Sequence, residues 1–227
     1  MPPVTRWLFT GSFVVTLAAN FSLLSPMSLI LHYESIFYNF ELWRLVTAFL
    51  YHGRLGFPFL INMMFLVRYG ASVEKDTFMN ETADYLWMII LGCITLFLPG
   101  FYIPLFILGE SLIMMIIYYW SRVNPNIPMS FFFGFRFESR YFPWVLIGFR
   151  LLMGGMPIDE IVGVFVGHLY YFMAVIYPNQ GGRRWIKTPQ LLKDYFPGPN
   201  ARIPRPGEGP RATGYNWGPG RPLGAIN

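Results

Sequence analysis

Cysteine is almost absent: Cys93 stands alone inside an apolar run, so no intrachain disulfide can form and thiol–disulfide chemistry has no second partner. Charge is scarce too. Charged side chains make up 13% of the 227 residues, against 54% hydrophobic and 19% aromatic, a balance that a soluble domain of this length hides only with difficulty. The net +5 charge comes without a folded basic domain, so a nucleic-acid partner is not expected. Inverted repeats are missing as well, which argues against a small-molecule transporter. No cofactor or metal is expected.

What the chain does have is long apolar runs. A spanning helix needs about 20 mostly apolar residues, and six candidates follow one another: 7–24, 57–73, 86–100, 101–120, 141–156 and 158–177. The first run, after Arg6, resembles a signal peptide with Ala18 and Ala19 as a cleavage site. Its length and the five runs behind it favour a retained span. The fold class expected is an all-α membrane protein, a bundle of six transmembrane helices.

Basic residues collect in cytoplasmic loops. With a cytosolic N-terminus, the inner segments hold Arg6, Lys75, Arg122, Arg136, Arg140 and all eight bases after position 178, while the outer segments hold only Arg44 and Arg54. Both termini are therefore expected in the cytosol, and sugar on Asn80 of the sequon "NET" would overturn that topology.

Two units emerge, a membrane domain over 1–178 and a tail over 179–227. Nine glycines and eight prolines among the tail's 49 residues mark an unpacked, disordered chain. Arg183, Arg184 and Lys187 at its start suit an anionic lipid surface. The loop 26–56 has Phe37, Phe40, Trp43 and Leu45 to Phe49 spaced for partly helical, interfacial packing. "SFFFGFRFESRYFPW" at 130–144 reads as an interfacial anchor, because aromatics and bases both favour the headgroup zone.

Ionisable residues inside spans cost on the order of 2.5 to 3.5 kcal/mol each, so a role is sought for them. They are Arg68, Glu110, Arg150, Asp159, Glu160 and His168. The spans 57–73 and 141–156 are also short. Sixteen or seventeen helical residues reach about 25 Å against a hydrocarbon core of about 30 Å, which thins the bilayer or lets charges snorkel.

Several stretches carry a resemblance. "ELWRLVTAFLYH", then Asn62, then "YGASVEK" with Gly70 and Glu74, and the pair Gly163 and Gly167 resemble the rhomboid superfamily. "MSFFFGFRFESRYFPWVLIGF" and "VGHLYYF…YPNQGGRRWIKTPQLL" look like its Derlin branch, so that the likeness covers about 5–197. Rhomboid proteases place a serine in a Gly-x-Ser-Gly turn of the fourth span and a histidine base on the sixth. Here Leu112 follows Ser111, Glu160 stands where the base belongs, and Pro58 replaces the histidine four residues before Asn62. His168 lies five residues past Gly163, on the wrong turn. A serine hydroxyl needs a positioned base, and a carboxylate is a far weaker one than imidazole.

The resemblance therefore implies a non-catalytic rhomboid-like factor of the endoplasmic reticulum membrane that helps misfolded proteins reach the cytosol for degradation. The competing reading is an intramembrane serine protease using Ser111. Gly163 and Gly167 are expected to pack closely on the fourth span. By resemblance Arg44 bonds loop carbonyls while Trp43 anchors at the interface. Asn62, Arg68, Glu110, Arg150, Glu160 and His168 are candidates to line a polar groove beside a thinned bilayer. In the tail, Asn216, Trp217, Gly218, Gly220, Leu223 and Gly224 resemble the box with which Derlins recruit the valosin-containing AAA+ ATPase. One aromatic and one aliphatic anchor on a flexible tether suit such capture. Further partners implied are a membrane-embedded ubiquitin ligase and a second copy of the chain.

Overall fold

The computed structural model describes residues 1–100, 102–103, 105–130, 134, 136–183, 185–196 and 198. Its centre is one helix, α7 (Gly109–Val123), apolar all round and buried along almost its whole length. A helix hydrophobic on every side belongs inside a bundle. Glu110 in its first turn and Arg122 in its last both complement the helix dipole.

Around it stand α1 (Pro3–Asn20), α5 (Phe57–Phe65), α6 (Thr82–Gly100), α8 (Phe142–Leu152) and α9 (Ile158–Tyr171). Among the described residues two helices, Thr82–Gly100 and Ile158–Asn179, are long and apolar enough to cross a membrane, against the six spans expected. The second runs on from α9 through a wide π turn, Phe172–Ile176, into α10 (Tyr177–Asn179).

α5 continues through two further π turns, Leu66–Gly70 and Val73–Thr77. The second delivers Glu74, fully buried, to the start of α1. Its carboxylate accepts from the Val4 amide at 3.0 Å, the Thr5 amide at 2.9 Å and the Thr5 hydroxyl at 2.7 Å. The first amides of a helix have no intrahelical partner and α1 carries no acid in its first turn, so a remote carboxylate supplies the cap.

Three expected boundaries move. The second run continues through its π turns to Thr77 rather than 73. The fourth run begins at Gly109 rather than 101, because residues before it pair sideways: Leu108 donates to the Ala48 carbonyl and Leu31 to that of Phe106, both at 2.9 Å. The fifth helix stops at Leu152 rather than 156, where Gly154 takes φ 79°, a conformation that ends helices and favours glycine. The expected all-α composition is broken by a small antiparallel pair, β1 (Pro128–Ser130) and β2 (Arg136–Glu138). Met129 and Phe137 face each other there and pack on the core, with the Phe137 ring stacked 6.3 Å from Phe142.

The loop between α1 and α5 folds into α2 (Pro26–Leu29), α3 (Tyr33–Tyr38) and α4 (Arg44–Leu50). Part of the segment expected to be unpacked is ordered: α11 (Gln190–Tyr195) lies on α6, with Lys193 3.4 Å from Asp84. The six candidate tail residues from Asn216 to Gly224 lie outside the described residues, as does Arg184.

Candidate functional site

α5 and α8 both lean on α7, and their aromatic rings meet at one end. There Phe142 sits 5.8 Å from Phe65 and 5.2 Å from Tyr69, while Tyr69 packs 4.8 Å from Trp120. Trp120 donates to the Ser72 hydroxyl at 3.1 Å, which satisfies the indole N–H inside this aromatic seal.

At the other end the helices part around a cavity of about 270 Å3. α5 contributes Phe57, Ile61 and Asn62; α8 contributes Leu146, Phe149 and Arg150; Ile113 and Met114 of α7 form its back. Polar groups gather on this wall. Arg150 reaches Glu110 and Glu160, each at 3.5 Å, and Asn62 donates to Glu110 at 3.3 Å. Glu160 is 9% exposed and keeps one carboxylate oxygen without a hydrogen-bond partner. Four candidates thus come together: Asn62, Glu110, Arg150 and Glu160. Arg68 and His168 stand apart. Arg68 is exposed, 5.8 Å from its neighbouring Tyr69 ring. His168 is also exposed and bonds the Tyr118 hydroxyl at 2.8 Å, a hydroxyl that accepts from Arg122 at 2.9 Å.

The glycine pair closes α9 onto α7. A Cβ at Gly163 would lie 2.4 Å from the Ser111 carbonyl oxygen and 2.8 Å from Met114 Cβ; at Gly167 it would lie 3.0 Å from the Met115 oxygen. Only glycine lets two backbones approach so closely. Ser111 lies under this contact, fully buried, its hydroxyl without a partner.

On the loop, Arg44 is 7% exposed and donates to the carbonyls of Met27 and Ile30 as well as to Glu41. The exposed Trp43 donates its indole N–H to Ser28 at 3.3 Å. Together they clasp α2 to α4, leaving the Trp43 ring outward where an interface would take it.

Sequence reasoning missed two features. The apolar cavity lining was available as three- and four-residue spacings, Phe57 with Ile61 and Leu146 with Phe149 and Met153, each one helix face. His52 gave no signal. It is 6% exposed, its Nε2 3.3 Å from the Ser12 hydroxyl and its amide bonded to Thr16, and burial pushes its pKa down to about 4. Among the described residues no cluster of three or more His, Cys, Asp or Glu side chains is arranged to hold a metal ion.

A mostly helical bundle with apolar helices of membrane length among the described residues defines a class: helical integral membrane proteins. The chain belongs to the Der1-like family, whose profile matches residues 1–190. It is 37% identical to Derlin-2 of Oryza sativa subsp. japonica, over 96% of this chain and 92% of that protein. Derlin-1 of Homo sapiens is 36% identical over 97% and 91%, and Derlin-2.1 of Arabidopsis thaliana 38% identical over 91% and 89%.

Proposed function

We propose that the protein is a non-catalytic Derlin of the endoplasmic reticulum membrane that moves misfolded proteins to the cytosol for degradation. The observation that carries this reading is the parted end of α5 and α8, a laterally placed cavity with a polar wall. Such a groove lowers the cost of passing polar chain through lipid. In the six-span topology with both termini cytosolic, the starts of α5, α7 and α9 and the end of α8 all lie on the lumenal side. The groove then receives clients from the lumen or the bilayer.

Short helices support local thinning. The 11 residues of α8 and 15 of α7 rise about 16 and 22 Å against a core of about 30 Å. Reconstituted protein that leaves measured bilayer thickness unchanged would remove this part of the mechanism.

The burial of Ser111 beneath Gly163 supports a non-catalytic role, since a nucleophile must reach both base and substrate. The box from Asn216 to Gly224 is assigned to the AAA+ ATPase, and a ubiquitin ligase and a second copy of the chain complete the assembly. Clearance of a misfolded lumenal client tests the reading. Ser111→Ala is expected to leave clearance intact, whereas Ile61→Trp with Leu146→Trp, filling the groove, stops it. Loss of both clearance and client cleavage with Ser111→Ala would favour the protease. Deleting residues 215–227 should release the ATPase on co-purification while retaining the ligase.

A further inference from the structure

The polar wall of the cavity is unbalanced. Glu110 and Glu160 share one guanidinium, and both approaches are 3.5 Å, too long for strong charge-assisted hydrogen bonds. Asn62 adds a neutral donor to Glu110 only. Glu160, nine-tenths buried, retains an unpartnered carboxylate oxygen, and Asp159 sits beside it on the same helix end. Counting only Glu110 and Glu160 against Arg150, at least one carboxylate's worth of charge is left over at the head of an apolar cavity. Buried polar groups without partners are rare in native structures and call for a reason.

We propose that this cavity is a docking site for a lysine side chain of a client segment, its methylenes along Phe57, Phe149 and Met153 and its ammonium against Glu160 and Glu110. This rests on the groove reading above and names the feature the groove selects. At about 270 Å3 the cavity falls below the roughly 300–1,000 Å3 of drug-sized sites, which suits a side chain rather than a whole small molecule. Lysine offers an apolar stem and a compact charged head with three donors, which can reach the Glu160 oxygen that Arg150, its own Nε also without a hydrogen-bond partner, leaves unbonded. A phospholipid headgroup fits worse, because even an amine-bearing one brings a phosphate toward two carboxylates. A lysine stranded in hydrocarbon is costly, and the site offsets part of that cost where the client leaves water.

The test uses the full chain in phosphatidylcholine nanodiscs and three apolar peptides that differ at one central position: lysine, norleucine or glutamate. Photo-crosslinking yield is read against peptide concentration. The lysine peptide should half-saturate at least about tenfold below norleucine, the low end of what close interfacial charge pairs contribute, and glutamate should be weakest. Glu160→Gln and Glu110→Gln, near-isosteric and checked by thermal melting, should each cut that preference to below about threefold. Arg150→Met, which raises the excess of negative charge, should increase it. Equal binding of lysine and norleucine peptides, an undiminished preference in both Gln variants, or displacement of the lysine peptide by phosphatidylethanolamine would each overturn the proposal. If the three peptides crosslink alike and groove filling still stops client clearance, the charge selection fails alone. If none crosslinks and groove filling leaves clearance unchanged, the groove reading itself fails.

Discussion

The two ends of the bundle solve the same packing problem in opposite ways. At one end Phe65, Tyr69, Trp120 and Phe142 lock α5, α7 and α8 together and Glu74 caps α1 from a π turn. At the other, the same helices part and polar groups meet over a cavity. Tilted and edge-on aromatic pairs and a fully bonded carboxylate are rigid; long ion pairs around a void are not. The chain-moving role proposed above needs this asymmetry, since a bundle sealed at both ends admits nothing and one open at both has no fixed scaffold.

The largest effect is expected where the two ends share a support. Gly163→Leu forces a side chain into the Ser111 backbone oxygen, which cannot yield as a side-chain tip would, so α9 must leave α7. The cost is expected at about 4 kcal/mol or more, beyond ordinary overpacking, read as loss of folded protein in detergent melts. Gly167→Ala, with its contact at 3.0 Å, should cost clearly less. Phe142→Ala strikes the sealed end first. Removing a ring 1% exposed should cost about 3 kcal/mol, and the cavity at the other end should lose its shape together with the melt.

The glycine spacing was legible because a four-residue repeat of the smallest side chain on an apolar helix has one common physical use. The loop clasp by Trp43 and Arg44 was legible only through resemblance. The cavity's polar wall was half visible: ionisable residues in spans mark themselves by their cost, yet nothing in their order along the chain distinguishes Glu110, which meets Arg150, from Arg68, which faces outward. Side-chain direction is set by helix rotation, and two π turns within 66–77 shift that rotation beyond what a 3.6-residue period shows. The capping role of Glu74 escaped for the related reason that its partner lies some seventy residues away.

The open end can also be perturbed by acid. His52 is held neutral among Ser12, Thr16 and Phe59, its pKa at about 4 against about 6.5 in the unfolded chain. Between those values the unfolded state binds a proton that the folded state refuses, so stability contributed by His52 is whole above about pH 6.5 and lost as pH falls toward 4. At pH 5 the loss is on the order of 2 kcal/mol. His52→Phe should flatten the melting temperature between pH 7 and 5, with the sealed end unaffected; an unchanged slope would mean that the histidine does not set it.

The smallest effect tests whether α11 belongs to the rigid scaffold. Lys193 and Asp84 are 48% and 35% exposed, and such pairs contribute about 0.2–1 kcal/mol, less in high salt. Lys193→Ala should leave the global melt within error. It should still raise amide exchange across Gln190–Tyr195, because a six-residue helix with no buried residue has little besides that pair and its contact with α6 to hold it. If exchange rises there and nowhere else, α11 is a loosely moored start of the tail. If it spreads into α6, the scaffold extends past the last long helix and the sealed end includes the segment that leads toward the proposed ATPase-binding residues.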